Sequence, residues 1–383
     1  MSNKLKLVMI VLVGLVGCVS KSPQFSEKRI IASTGKPFDE AKYKAILEDM
    51  QNTENETLNN YDESEENQIE RDEVEQDKEK DIQYDVAPAD EPVYTSTEEE
   101  SFIKNIGAES SIPELLAAAK KTIANTGTWG FQFVYIDKDG NQKILSQYNP
   151  HSVLKPASTQ KLFTGYLFFA SNTFTKSYSK NHLAAMLHVS QNEMADSALK
   201  RVASQKGYES NQIQNGLSIL KSNYAGLSDS NRYSPIDGSG LSYLNKVTPD
   251  LETSLLTRIY RGGRYAEFKK MLAHPGESNC SYNPRGAKIS RTKRFQWPDQ
   301  LGTKHPFHST VGSRLMFLSG RLHAKTGTLK RTKALAGFVD VKGGGVIVFS
   351  VIGDYLKVGT PTAFAKINSV VAGHVKYIDS YLK

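Results

Sequence analysis

Cysteine is almost missing from this chain: among 383 residues only Cys18 and Cys280 occur. No framework of internal disulfides can hold the fold, and Cys280 has no His or second Cys at metal-ligand spacing beside it, so no metal is implied. A long apolar run is missing too. Leu7 to Gly17 is apolar for eleven residues, too few to span a bilayer comfortably as a permanent helix. Acidic residues are scarce over the last three quarters of the chain, where residues 101–383 carry 37 Lys or Arg against 17 Asp or Glu. No internal repeat is visible, which excludes solenoid and propeller architectures.

What is present begins with an export signal. Met1 to Lys6 is short and basic, the apolar run follows, and Leu15-Val16-Gly17-Cys18 stands where a cleavage site belongs. That tetrapeptide resembles a bacterial lipobox, so residues 1–17 read as a lipoprotein signal peptide. Cys18 reads as the lipidated new N-terminus, attaching the protein to a membrane of the cell envelope. Residues 18–105 then form an acidic tether. From Asp39 to Glu100 there are 23 Asp or Glu and 5 Lys or Arg, a composition that repels itself and buries little. A flexible chain of that length averages roughly 50 Å end to end, with one weak helix expected around Asp39 to Met50. The basic excess of residues 101–383 is a field for anions, and nucleic acid is the usual first suspicion. Export argues against nucleic acid, leaving lipid head groups, wall carboxylates or the acidic tether itself, through a salt-sensitive docking, as counterions.

Residues 106–383 read as the folded part. Ser111-Ile112-Pro113-Glu114 has a capping-box pattern opening a helix through about Ala124. Trp129 to Ile136 and Lys143 to Tyr148 read as strands around the turn Asp137 to Asn141. Asn181 to Val189, Glu193 to Ala203 and Pro249 to Tyr260 are helical in pattern, with a polar Gly-rich loop between Leu227 and Pro249. A basic, aromatic-interleaved loop runs from His274 to His308. Leu322 to Leu329 reads as a strand, Ala334 to Val341 and Val346 to Gly353 as a hairpin around Gly343-Gly344-Gly345, and Pro361 to Leu382 as a terminal helix. This order predicts an antiparallel sheet flanked by helices, in the α/β (α+β) class.

The chemistry is concentrated in Pro156-Ala157-Ser158-Thr159-Gln160-Lys161-Leu162. Residues three apart share a helical face, so the Lys161 amine stacks beside the Ser158 hydroxyl. A hydroxyl is a poor nucleophile at neutral pH, and a partly desolvated amine beside it can take its proton as attack begins. Two further motifs follow in order: Ser190-Gln191-Asn192 and Lys325-Thr326-Gly327. Singly each has an ordinary reading: Ser190 as a helix N-cap, Lys325 as a solvated strand lysine, Gly327 as a bulge.

Together, and in this order, the three motifs resemble those of the penicillin-binding proteins and serine β-lactamases. Asp237-Gly238-Ser239-Gly240-Leu241-Ser242, and Ala324 to Leu329 leading to Ala334-Leu335-Ala336-Gly337-Phe338, narrow the match. They resemble the class C low-molecular-mass penicillin-binding proteins, D-alanyl-D-alanine carboxypeptidases and endopeptidases. The resemblance implies a transpeptidase-like domain of about five strands with an adjoining helical subdomain, the motifs lining the cleft between them. It implies Ser158 as nucleophile and Lys161 as general base. Ser190 is expected to relay a proton to the leaving amine, Asn192 to bind the substrate amide or orient Lys161, and Lys325 to face the substrate's terminal carboxylate. Thr326, Gly327 and Thr328 would line the substrate, with the Ser158 and Thr328 N–H groups as oxyanion hole. Peptidoglycan stem peptides are the implied substrates, β-lactams the covalent inhibitors, and no cofactor is implied. Asp237 to Ser242 is assigned only turn chemistry.

The chain departs from the family in two places. Ser158 and Ser190 are only 32 residues apart, so the insertion domains common there are expected to be missing and the cleft open. The basic loop before the Lys-Thr-Gly strand is long. Alternatives are a serine β-lactamase, for which no Glu-x-x-Leu-Asn segment follows Asn192, and an inactive wall-binding lipoprotein.

Overall fold

Successive side chains of a strand point to opposite faces, and the near-continuous apolar runs of the central strands let one sheet serve two cores. The computed structural model describes residues 39–59, 112–175, 178–188, 190–275, 296–298, 304–306, 310–311 and 314–381. The signal segment, Cys18, Ser111, Cys280, most of the acidic stretch and most of the basic loop lie outside the described residues. Strands β1 (Thr128–Ile136), β2 (Gln142–Tyr148), β5 (Leu322–Leu329), β6 (Thr332–Asp340) and β7 (Val346–Asp354) form one sheet in the order β2-β1-β7-β6-β5. Every neighbouring pair is antiparallel. A separate short pair, β3 (Gln296–Pro298) with β4 (Lys304–Pro306), lies within the stretch read as a loop.

On β1, Trp129, Phe131 and Phe133 enter one core while Val134 and Ile136 enter the other. The first core is closed by α2 (Pro113–Ile123) and the long α9 (Thr360–Tyr381). His374 of α9 sits fully buried in it, its ring stacked on Phe133 at 3.7 Å between centroids. The Val370 carbonyl can only accept, so Nδ1 carries the imidazole proton and Nε2 accepts from the Ser146 hydroxyl. Burial holds this imidazole neutral, pushing its pKa down to about 4. The opposite core is made with α3 (Gln160–Ser171), α4 (Lys180–His188), α5 (Asn192–Gln205), α6 (Gln212–Asn223) and α7 (Pro249–Arg261), followed by the short α8 (Tyr265–Lys269). The expected sheet, hairpins and flanking helices are therefore all found.

One local expectation is corrected. The helix expected near Asp39 to Met50 runs as α1 (Glu40–Asn59) and is part of the domain. Ile46 and Met50 are buried, the latter completely, and the Met50 methyl fills a notch at Gly373 where a Cβ would fall only 2.2 Å away. Lys376 and Lys366 of α9 reach Asp49 and Glu54, both at 3.1 Å. The acidic stretch is thus not one continuous tether, because apolar burial fixes its first helix to α9. The expected capping box falls partly on Ser111, outside the described residues. Ile112 stands at the N-cap of α2 with no side-chain bond, and Glu114 accepts the Asp39 N–H at 2.9 Å, a partner 75 residues away.

Candidate active site

Ser158 lies in a single 3-10 turn, Ala157–Thr159, immediately before α3. Residues three apart eclipse one another in such a turn, and Lys161 Nζ stands 2.9 Å from Ser158 Oγ. Ala157 is held at φ +48°, a conformation uncommon outside glycine. Two close approaches hold it there. A Cβ on Gly327 would come 2.6 Å from the Pro156 carbonyl, and one on Gly240 would come 1.8 Å from the Ala157 carbonyl. The turn is gripped between β5 and the 237–242 loop, and only glycine fits on either side. Gly327, expected to line the substrate, lies against the turn that carries Ser158.

Lys161 is fully buried among three acceptors. Beyond Ser158 it donates to Asn192 Oδ1 at 2.7 Å and to the Ser239 carbonyl at 2.8 Å. When the amine is neutral, the two fixed acceptors take its two N–H groups and its lone pair is left facing the Ser158 hydroxyl. That is the geometry a general base requires. Asn192 is the first residue of α5, and Ser190 precedes it in the left-handed region at φ +65°. Ser190 is therefore not a cap: Gln191 occupies that position.

Lys325 projects from the edge strand β5 and donates to Ser190 Oγ at 3.0 Å and to the Thr326 carbonyl at 2.9 Å. The Ala324 N–H bonds Ala273 rather than β6. By strand alternation the N–H groups of Thr326 and Thr328 also point out of this edge. The Thr326 side chain lies across from Leu335 on the far core's face, so only its backbone is offered to the cleft. Ser158, Lys161 and Asn192 are thus joined by hydrogen bonds, Ser190 joins Lys325, and Gly327 touches the turn that carries Ser158. Cys18 lies outside the described residues.

Sequence reasoning missed the part played by Asp237 to Ser242. Asp237 accepts from the N–H groups of Ser239, Gly240 and Ser242 and from Asn245 Nδ2. This winds the loop so that the Ser239 carbonyl faces Lys161 and the Gly238 carbonyl takes the Thr164 hydroxyl at 2.7 Å. The Asp-Gly-Ser-Gly signal was visible as turn chemistry; that its Ser239 carbonyl holds the Lys161 amine depends on tertiary structure. Lys155, just before the turn, pairs with buried Asp354 at 2.8 Å. Among the described residues His151, Asp229 and Asp250 are close enough to share an ion. Their oxygens already accept from His151, Thr248 and Ser228, and Arg232 lies 3.6 Å from Asp229.

A model of the D-Ala-D-Ala carboxypeptidase 3 (S13) family matches residues 179–372. No curated protein matches the chain. Among solved structures, the TLA-1 extended-spectrum β-lactamase is 13% identical, with 70% of this chain and 100% of that chain covered and a TM-score of 0.47. Penicillin-binding protein 4 from Haemophilus influenzae, complexed with a β-lactam, is 14% identical over 70% of this chain and 99% of that one, with a TM-score of 0.46.

Proposed function

Because the chain belongs to the D-Ala-D-Ala carboxypeptidase 3 (S13) family, we propose that it is a serine D-alanyl-D-alanine peptidase, cleaving peptidoglycan stem peptides through an acyl-enzyme on Ser158. The observation that carries this reading is the trio of acceptors around the Lys161 amine. Lys161 takes the Ser158 proton as Oγ attacks the D-Ala carbonyl, and the Ser158 and Thr328 N–H groups receive the charge that develops on its oxygen. Ser190 relays to the leaving amine the proton that Lys161 took from Ser158, which restores the neutral Lys161 amine, and water, giving its proton to that amine, then hydrolyses the ester. The Lys325 ammonium supplies positive potential for a terminal carboxylate. Both a terminal D-Ala and a D-Ala cross-link proceed through this acyl-enzyme. The 32-residue interval between Ser158 and Ser190 leaves little room for insertion domains over the cleft, which favours the bulkier cross-linked substrate. β-Lactams acylate the same hydroxyl. Lipid on Cys18 holds the enzyme to a membrane of the cell envelope, facing the wall.

The test is mass spectrometry of a pentapeptide monomer and a D-Ala cross-linked dimer incubated with residues 19–383 and with Ser158→Ala. Loss of terminal D-Ala identifies a carboxypeptidase and splitting of the dimer an endopeptidase, with Ser158→Ala inert. Two unchanged substrates would overturn the hydrolase reading in favour of a wall-binding role.

A further inference from the structure

Thr159, which follows the nucleophile, is completely buried, and its hydroxyl lies 2.8 Å from the Pro156 carbonyl and 2.5 Å from Glu252 Oε1. A hydroxyl has one proton to give. With a carboxylate at 252, the two acceptors compete for it and one goes unserved. With a carboxylic acid there, Glu252 donates to Thr159 Oγ1, Thr159 donates to Pro156, and Ser350 donates to Glu252 Oε2 at 2.7 Å. Each proton then has an acceptor. We propose that Glu252 is a positioning residue for the nucleophile: as a carboxylic acid it completes the chain Ser350–Glu252–Thr159–Pro156 and so locks the turn from which Ser158 attacks. The inference rests on Ser158 being the nucleophile.

The surroundings favour the acid. Glu252 is completely buried on α7, which packs on β1, β6 and β7. From β7 it meets Ser350. Gln132 of β1 is committed to Asp250 and Thr253 of α7. Asp250 lies two residues away and is also bonded by Ser228. The Tyr233 phenol is held by Gln160 at 2.6 Å. Of the nearby cations, Lys155 is paired with Asp354 at the end of β7, and Lys161 is bonded to Ser158, Asn192 and Ser239. Among the described residues no cationic side chain bonds Glu252. Burial pushes its pKa up to about 7, so the lock holds below neutral pH and is half released near it. Ionisation above it draws the Thr159 proton away from Pro156 and places a charge beneath the turn.

The experiment is the rate of Ser158 acylation by labelled penicillin across about pH 5.5 to 9, for residues 19–383 and for Glu252→Gln, Glu252→Leu and Thr159→Val, each with its thermal melt. The Gln amide donates to Thr159 and accepts from Ser350 without ionising. Glu252→Gln is therefore expected to keep the wild-type rate at acidic pH and to lose the alkaline decline. Glu252→Leu and Thr159→Val are expected to slow acylation about tenfold or more with little change in non-covalent affinity. A Glu252→Gln profile superimposed on the wild type, or a Glu252→Leu rate equal to it, overturns the proposal even where Ser158 is acylated. Wild-type protein that is never acylated at Ser158 overturns the nucleophile reading and this inference with it.

Discussion

Gly240 shows how tightly one residue is constrained by its place beside the turn that carries Ser158. It sits at φ +86°, and any Cβ there would fall within 1.8 Å of the Ala157 carbonyl. Gly240→Ala must displace the nucleophile turn or the loop that carries the Ser239 carbonyl. Either shift separates Lys161 from one of its partners. Acylation by penicillin is expected to fall about a hundredfold while far-UV circular dichroism stays that of the folded protein. A variant acylating at the wild-type rate would show that the grip on the turn is not needed. Ser158 and Lys161 were legible because three-residue spacing is a local property of a helical turn. Asp237, Ser239 and Glu252 were not, because each acts on the turn from a distant segment.

At the scale of the element, α1 carries the clearest consequence. Its sequence is acidic and polar, and of its side chains those of Ile46, Met50 and Thr53 are buried. Removing the Met50 side chain empties the notch at Gly373, and Met50→Ala is expected to cost about 2–4 kcal/mol in denaturant unfolding. The ion pairs alongside are partly exposed and screened, so Asp49→Asn with Glu54→Gln is expected to change stability by less than about 1 kcal/mol. The opposite ranking would mean that α1 docks by charge, as a salt-sensitive tether does. A chain begun at residue 101 lacks this helix, exposing the α9 face that Met50 covers.

Across the whole molecule, two buried groups couple stability to pH with opposite sign. Glu252 has a folded pKa near 7, above the ordinary 4.5, so its contribution is fully present below about pH 4.5 and is lost as pH rises through 7. His374 has a folded pKa near 4, below the ordinary 6.5. The unfolded chain binds its proton first, and stability falls as pH drops from 6.5 toward 4. Each effect is worth about 3 kcal/mol over its window, and they oppose one another between about pH 4.5 and 6.5. Glu252→Gln removes one of them. Relative to the wild type, its unfolding free energy is expected to gain a steeper acid-side slope of about 1.4 kcal/mol per pH unit across that range. Parallel curves for the two proteins would show that Glu252 does not change its protonation on unfolding.

The sequence alone determined the strands, the order of the three motifs and the pairing of Ser158 with Lys161, because alternation and helical spacing act between near neighbours. Only the tertiary structure decided which carbonyl holds the lysine, why Ala157 adopts a left-handed turn, and that Glu114 bonds Asp39. It also decided that an acidic helix joins the fold. Each of these depends on partners far apart along the chain, and burial sets which partner wins.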